Sequence, residues 1–379
     1  MRVALVHDWL TGLRGGERVL HELAGMFPDA DLYTLVHVPG STSDAIERLR
    51  VHASPLSRWP GAARHYRKLL PLFPWAIRRF RLEGYDLVLS SSHAVAKSVR
   101  RPDGAVHVCY CHTPMRYVWD RADAYLGRGL LRALATPAVF ALRRFDVSTS
   151  GPDCVTRFVA NSNEVAARIR RHYRRDAEVV FPPVDVERFR PTGAAPDDFY
   201  LLIGGFVAYK NEGIALEAFR RLGRRLVVAG DGPGRARLEA RAPANVEFTG
   251  RISDAELAGL AGRCRALVHP QEEDFGIAAV EAQAAGRPVI ALGRGGALDT
   301  VVPMIDADSN GLPEAPAPTG VHFDQPTPEA LAEAVERFEK LEARFDGARI
   351  RAWAERFGAP RFRRELTEQI DTALAHRPC

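Results

Sequence analysis

No stretch of this 379-residue chain holds the roughly 20 consecutive apolar residues that a membrane-spanning helix requires. Cysteine is scarce and scattered. Cys109, Cys111, Cys154, Cys264 and Cys379 form an odd set with no disulfide framework, which points to a reducing cytoplasm. Cys109, Cys111 and His112 lie close enough to raise metal binding. However, no second cysteine or histidine cluster completes a four-ligand set, and alternation along a strand puts both sulfurs on one buried face. A signal-peptide pattern is missing too, since Met1 leads straight into the strand-like run Val3–Val6. The chain also lacks the dinucleotide Gly-x-Gly-x-x-Gly fingerprint, which argues against a nucleotide-dependent oxidoreductase on similar sheets. No basic run is interleaved with a nucleic-acid-binding motif, which argues against nucleic acid.

Almost half of the residues are apolar and about a quarter charged, as in a globular protein. The net charge of +5 suits an anionic ligand or an anionic membrane surface, weakly. The length fits two domains of roughly 150 to 200 residues. Short apolar runs alternate with helical patterns, the mark of parallel sheets covered by helices. Expected strands in the first half are Val3–Val6, Asp31–Val36, Leu87–Ser90, Val106–Cys111 and Phe158–Ala160, with helices such as Gly16–Met26 and Asn163–Tyr173. Two prolines interrupt the run Val179–Asp185, which reads as the crossing into a second domain. There the pattern restarts with strands Tyr200–Ile203, Arg225–Ala229, Val246–Thr249, Ala266–His269 and Val289–Ala291, and a helix at Glu212–Leu222. Pro303–Thr319 reads as a loop, Pro328–Glu342 as a helix, and Ala348–His376 as a helix broken near Phe357–Pro360. The expected architecture is α/β, with two doubly wound Rossmann-like domains facing across a cleft. In such sheets ligands bind at the carboxyl ends of the strands.

The most informative stretch runs from Glu273 to Glu281. Two carboxylates bracket Phe275-Gly276 at the start of a small-residue helix, which ends at Gly286 before the strand Pro288–Ala291. Such a helix start offers unpaired N–H donors to a phosphate, with carboxylates nearby to accept from sugar hydroxyls. A second glycine-bearing turn, Thr11–Glu17, follows the first strand and opens a helix, so its glycines either admit an anion or merely turn the chain. Lys210, after Ile203-Gly-Gly-Phe-Val-Ala-Tyr, is either a cation for a diphosphate or simply solvated. Gly230-Asp-Gly-Pro-Gly234 reads as turn punctuation. Two Asp-x-Asp pairs, Asp29/Asp31 and Asp306/Asp308, read as solvated carboxylates rather than metal ligands.

Taken together, these pieces resemble the family 4 retaining glycosyltransferases of GT-B fold over nearly the whole chain. The matching stretches are Gly15–Val19, Ser90–Lys97, Cys111–Tyr117, Val159–Ser162, Pro182–Asp185, Tyr209-Lys210, Gly230–Gly234 and the Glu273-x7-Glu281 signature. His112-Thr-Pro-Met-Arg116-Tyr is most similar to bacterial O-antigen and exopolysaccharide mannosyltransferases, many of which use GDP-mannose. The resemblance implies an acceptor-binding domain over residues 1–182, with helix 359–379 packing back on it, and a nucleotide-sugar-binding domain over 183–358. It implies a hexosyltransferase moving mannose from GDP-mannose to a lipid-linked oligosaccharide in surface-polysaccharide synthesis. GDP-fucose, UDP-glucose and UDP-N-acetylglucosamine remain open as donors, as does a catalytically silent sugar-nucleotide-binding protein. By position, the resemblance implies catalytic roles for His112, Lys210 and Glu273. Donor contacts fall to Gly15, Gly16, Gly205, Arg251, Phe275, Gly276, Ile277 and Glu281, the last at the ribose. Acceptor contacts fall to His93, Lys97, Arg116 and Asn161. It also implies no metal and no cofactor beyond the donor itself.

One departure stands out. Many members carry arginine where this chain has Gly205, and Arg251 or Arg294 is a candidate replacement. Arg58–Arg81 mixes arginine with Trp59, Phe73 and Trp75, and Arg128–Arg144 is a second such stretch. Either an anionic membrane face or ordinary helix packing accounts for them. The expected location is the cytoplasm, with peripheral attachment to the inner membrane face as an alternative.

Overall fold

A computed structural model describes residues 1–120, 130–207, 210–304 and 316–376. Asp306, Asp308, Tyr209, Arg128 and Cys379 lie outside the described residues. The chain divides into two units, Met1–Pro183 with Ala359–Cys379, and Val184–Gly358.

In the first unit, strands β1 (Val3–His7), β2 (Asp31–Thr34), β3 (Arg50–Ala53), β4 (Leu87–Ser92), β5 (Val106–Cys111), β6 (Arg157–Ala160) and β7 (Ala177–Val179) form one sheet in the order 3-2-1-4-5-6-7. Every pairing is parallel. The central strands are buried on both faces. Val3 and Leu5 join one core cluster while Ala4 and Val6 join the other, the two-residue period of a strand. Helix Gly15–Met26 covers the first face through Val19, Leu20, Leu23 and Ala24. The last helix, Ala359–Ala375, adds Phe362, Leu366, Ile370 and Ala373 to that same core, an apolar stripe at helical spacing. Cys109 and Cys111 share one small buried cluster with Phe158 and Val165.

The second unit repeats the design. Strands β8 (Tyr200–Gly204), β9 (Leu226–Gly230), β10 (Val246–Gly250), β11 (Leu267–His269), β12 (Val289–Leu292) and β13 (Gly320–Phe323) lie in the order 10-9-8-11-12-13. Helix boundaries follow capping chemistry. The Ser162 hydroxyl accepts from Val165 N–H at 3.1 Å and starts helix Asn163–Tyr173. Ser253 and Glu256 form a reciprocal capping box, and Gly223 in the left-handed region closes Glu212–Leu222.

Three strands depart from the sequence expectation: β3, β7 and β13 were not anticipated. All three are sheet edges. An edge strand is half solvated and carries no continuous apolar run; β3 reads Arg-Val-His-Ala and β7 Ala-Glu-Val. Asp31 is a second correction. It is buried rather than solvated, accepting from Arg50, from His52 at 3.0 Å and from the Tyr85 hydroxyl. The Arg50 hydrogen bond, ahead of the other two, holds its pKa well below the carboxylate range.

Lys97 is a third. Its ammonium is buried, donating to the Asp146 carbonyl at 2.8 Å and lying 3.1 Å from Asp146 Oδ1. Trp119 Nε1 and the Tyr173 hydroxyl each donate to Asp146 Oδ2 at 2.8 Å. The pair ties the segment after β4 to helices Leu130–Ser148 and Asn163–Tyr173, so Lys97 holds the fold rather than an acceptor. Removing one partner of a buried pair strands the other charge, at about 3–5 kcal/mol. Asp146→Ala is therefore expected to lower urea-unfolding stability by that order, and a loss under about 1 kcal/mol would contradict the assignment.

Candidate functional site

In each sheet the strand order reverses once, between β1 and β4 and between β8 and β11. The connections leaving those neighbours run in opposite directions, which opens a crevice beyond their carboxyl ends. Several of the sequence-expected site residues lie near these two points: Gly15, Gly16, His93 and His112 near the first, Gly205, Lys210 and Glu273 near the second.

In the first unit, Asp8 follows β1 and is fully buried. Its carboxylate accepts four backbone N–H groups, from His93, Ala94, Val95 and Ala96, at 2.7–2.9 Å. This locks the exit of β4 to the exit of β1 and sets His93, whose Nδ1 lies 3.3 Å from Asp8 Oδ2. Neither Asp8 nor its neighbour His7 was singled out from sequence. The available signal was their place at the end of the first strand.

His7 Nδ1 is 3.1 Å from Ser91 Oγ, and the same oxygen is 2.8 Å from His112 Nε2. His93 stands near both rings, with centroids 5.7 Å from His7 and 6.1 Å from His112. His7 is fully buried, whereas His93 and His112 are half-buried. Desolvation first, then the neighbouring positive or ionisable groups, push all three down to about 3, so all are neutral near pH 7.

Gly15 and Gly16 open helix Gly15–Met26 beside these rings. A Cβ at Gly16 would sit 3.5 Å from His7 Cε1 and 3.7 Å from His112 Nε2, ordinary contact distances. These distances do not require glycine there; a side chain would instead fill the space before the two imidazoles. Arg116 is half-buried in the turn after His112, and its charge helps depress His93. Asn161 is buried at the end of β6, where its Oδ1 accepts from the Ser162 hydroxyl at 3.3 Å.

In the second unit, Lys210 Nζ lies 3.1 Å from Glu273 Oε1, joining the segments that follow β8 and β11. Both side chains are about one-fifth to one-quarter exposed. His269, the last residue of β11, is buried with Nε2 3.9 Å from Glu273 Oε2. Gln271 Nε2 lies 3.1 Å from His269 Nδ1, and donation to that nitrogen places the ring proton on Nε2. His269 was also missed from sequence. Burial lowers its pKa.

The loops around the pair are held by close backbone packing. A Cβ at Gly230 would fall 2.1 Å from the Gly204 carbonyl oxygen, and one at Gly232 would fall 2.0 Å from that of Gly205. The glycine run 230–234 thus lets β9's exit press on β8's exit. Gly296 N–H donates to the Glu273 carbonyl at 2.8 Å, and a Cβ there would strike the Phe275 backbone at 2.2 Å. Buried Glu212 accepts from Phe206 N–H at 2.8 Å and fixes a non-glycine residue with φ of 47° just before Lys210.

Gly276, with φ of 92°, precedes helix Ile277–Ala284, while Phe275 packs on Phe357. Glu281 lies on that helix and is buried.

Gly205 bears on the missing arginine. The space beyond its Cα is taken by Lys210 itself, whose Nζ, Cε and Cδ lie 3.5–3.7 Å from where a Cβ would be. The proposed substitutes are elsewhere. Arg251 is exposed past the edge strand β10, with β9 between it and β8. Arg294 Nη2 donates to the Asp324 carbonyl at 2.8 Å, beyond β13.

Two adjacent family models match the chain: "Glycosyltransferase Family 4" over residues 13–188 and "Glycosyl transferases group 1" over 185–352. The fold is GT-B. HepE of Anabaena in complex with UDP superposes with a TM-score of 0.68 at 15% identity, over 98% of this chain and all of its own. Sucrose-phosphate synthase of Thermosynechococcus elongatus gives 0.71 at 19% identity, over 99% and 100%. The chain belongs to the family 4 glycosyltransferases.

Curated relatives include the O-antigen chain mannosyltransferase C of Escherichia coli, 36% identical over 101 residues, 25% of this chain and 27% of the relative. A GDP-mannose-dependent phosphatidylinositol dimannoside mannosyltransferase of Mycobacterium tuberculosis is 30% identical over 233 residues, covering 57% and 56%. The D-inositol 3-phosphate glycosyltransferase of Streptomyces bingchenggensis is 35% identical over 174 residues, 37% and 38%. The matched region spans from about a quarter to just over half the length of these relatives.

Buried histidines make the site acid-sensitive. His7 is pushed down to about 3 and His107 to about 4, both by desolvation first, from an unfolded value of 6.5. Below pH 6.5 the unfolded chain binds protons that the native state refuses, so stability falls as pH falls. The slope is up to about 1.4 kcal/mol per pH unit for each such histidine. Urea-unfolding midpoints are expected to drop between pH 7.5 and 5; equal midpoints would mean these imidazoles are not held neutral.

Proposed function

We propose that this protein is a retaining hexosyltransferase that moves mannose from GDP-mannose onto a lipid-linked oligosaccharide during assembly of a bacterial surface polysaccharide. The single observation that carries the reading is the Lys210–Glu273 pair at the β8/β11 reversal, beside the open start of helix Ile277–Ala284. A partly exposed ion pair contributes at most about 1 kcal/mol to stability. Its value lies instead in a cation fixed in advance. The mannosyl donor is supported by the relatives whose names specify mannosyl transfer.

Lys210 and the N–H groups at Phe275, Gly276 and Ile277 stabilise the negative charge that grows on the departing diphosphate. Glu281 accepts from the ribose hydroxyls, and Glu273 from the sugar. The acceptor hydroxyl attacks the anomeric carbon on the face the diphosphate leaves. The bond from that carbon to the phosphate oxygen breaks, the new glycosidic bond forms, and the acceptor proton passes to the released phosphate. His112 orients the sugar, while Gly15 and Gly16 leave room for phosphate. The acceptor contacts that remain are His93, Arg116 and Asn161. Neither a metal nor a further cofactor enters this scheme.

A panel of GDP-mannose, GDP-fucose, UDP-glucose and UDP-N-acetylglucosamine, scored for transfer and slow hydrolysis, is expected to single out GDP-mannose. Lys210→Ala is expected to lower kcat by about 100-fold or more, the scale of one lost oxyanion donor, with folding intact. Glu281→Ala should weaken donor binding. Unchanged kinetics in both variants would contradict the assigned site. Binding without turnover of any donor would favour a silent sugar-nucleotide-binding protein.

A lipid-linked acceptor requires a membrane surface. Trp59, Leu72 and Trp75 are 57%, 41% and 51% exposed among the exposed basic residues Arg58, Arg64, Arg67, Lys68 and Arg79. Leu56, Tyr66, Phe73 and Ile77 from the same stretch face the core. Internal packing therefore uses one side and leaves an aromatic, basic side outward, which supports peripheral attachment at the cytoplasmic face. Flotation with liposomes is expected to increase when anionic lipid is included and to fall for Trp59→Ser/Trp75→Ser. Identical partition with and without anionic lipid would contradict the attachment.

A further inference from the structure

Three groups at the β1/β4 reversal make a hydrogen-bonded chain: His7 Nδ1, Ser91 Oγ and His112 Nε2, at 3.1 and 2.8 Å. Two features make this chain more than packing. His7 is fully buried, yet among the described residues its outer nitrogen Nε2 has no hydrogen-bond partner. That nitrogen faces Gly16 in the first turn of the 12-residue helix Gly15–Met26, 3.9 Å from where a Cβ of Gly16 would lie. A buried, unsatisfied ring nitrogen is costly unless something occupies the space before it. The start of a helix supplies unpaired N–H groups and a positive dipole end at that same space, so the missing partner is an anionic oxygen.

The chemistry of the chain adds a constraint. Desolvation keeps both imidazoles neutral, so each ring carries one N–H and one lone pair. The Ser91 hydroxyl has one proton, and its two ring partners here are His7 Nδ1 and His112 Nε2. If it donates to His112 Nε2, then His7 Nδ1–H donates to Ser91. His7 Nε2 is then a lone pair and His112 Nδ1 carries the proton. If it donates to His7 Nδ1, both outer nitrogens exchange roles. In either arrangement one outer nitrogen is a donor and the other an acceptor.

We propose that His7, Ser91 and His112 form a tautomer relay in which a phosphate group at the start of helix Gly15–Met26 sets the hydrogen-bonding role of His112. A phosphate oxygen before His7 Nε2 requires a donor there. The relay then leaves His112 Nδ1 as an acceptor, ready to hold a hydroxyl of the sugar; this last step rests on the placement of His112 under the proposed function. Release of the phosphate removes the bias. His7 and Ser91 are positioning residues, acting on the sugar only through His112. The proton count of the relay is unchanged: His7 Nε2 takes up one proton and His112 Nδ1 gives one up, both exchanged with solvent, while the inner protons shift so that the Ser91 hydroxyl turns from His112 to His7.

The test is nitrogen-15 NMR of the full-length protein labelled in its histidine rings, with signals assigned through His7→Gln and His112→Gln, and with inorganic pyrophosphate as the probe. Without pyrophosphate, the protonated fractions of His7 Nε2 and His112 Nδ1 are expected to sum to one. With pyrophosphate, His7 Nε2 becomes protonated and His112 Nδ1 unprotonated. Ser91→Ala should abolish the response of His112, and Ser91→Thr, which keeps the hydroxyl, should restore it. The relay is overturned if the two fractions are not complementary in the unsubstituted protein, which needs no variant to fold. It is overturned equally if pyrophosphate leaves His112 unchanged, or if Ser91→Ala responds as the unsubstituted protein does. Complementary fractions that respond to pyrophosphate in a protein that turns over no sugar donor would leave the relay standing and sink the proposed function instead.

Discussion

The reversal of strand order in each sheet is the constraint on which the site depends. Parallel strands need helical crossovers, and where successive crossovers depart in opposite directions the sheet's carboxyl edge is left uncovered. That happens between β1 and β4 and between β8 and β11. Polar groups gather at those strand ends. His7, Asp8, Ser91 and His112 surround the first reversal, and Gly205, Lys210, His269 and Glu273 the second.

Each reversal needs its loops pinned, and the two units use different means. In the first, a single buried carboxylate, Asp8, accepts four consecutive backbone N–H groups and thereby fixes the turn after β4. In the second, glycine does the work by its lack of a side chain. Gly230 and Gly232 admit the carbonyls of Gly204 and Gly205, while Gly295 and Gly296 admit the backbone of Glu273 and Phe275. The glycine signature after β9 is thus a packing requirement of the neighbouring strand's exit. Gly205 is of another kind. A Cβ there would meet only the Lys210 side chain at ordinary distance, so its consequence is to let that lysine lie back along the strand end toward Glu273.

Much of the fold was legible in the sequence because interior parallel strands are buried on both faces and read as apolar runs. The ten anticipated strands match the structure to within two residues at either end. The three overlooked ones, β3, β7 and β13, are edges; solvent shapes the composition of β3 and β7, whereas β13 is buried but only four residues long and interrupted by His322. Glu273, Glu281 and Lys210 stand out from their motif context, and the structure brings Lys210 and Glu273 together at one reversal. Others were misjudged for a definite reason. Asp31 reads as a solvated carboxylate and Lys97 as an acceptor contact because burial of a charge depends on partners 19 and 49 positions away, Arg50 and Asp146, which no local pattern announces. His7, Asp8 and His269 were missed because a single polar residue closing an apolar strand looks like the strand's end. Only the strand order shows that these particular ends flank a reversal.

The central claim is that the β8/β11 reversal grips a nucleotide-sugar through Lys210, Glu273 and the helix that carries Glu281. Hydrogen–deuterium exchange of the full-length protein with and without saturating GDP or UDP tests it most directly. The account predicts that whichever nucleotide binds slows exchange at residues 203–207, 210–212 and 269–281, and that Glu281→Ala removes this protection. Protection confined to other segments, or none with either nucleotide, would contradict it.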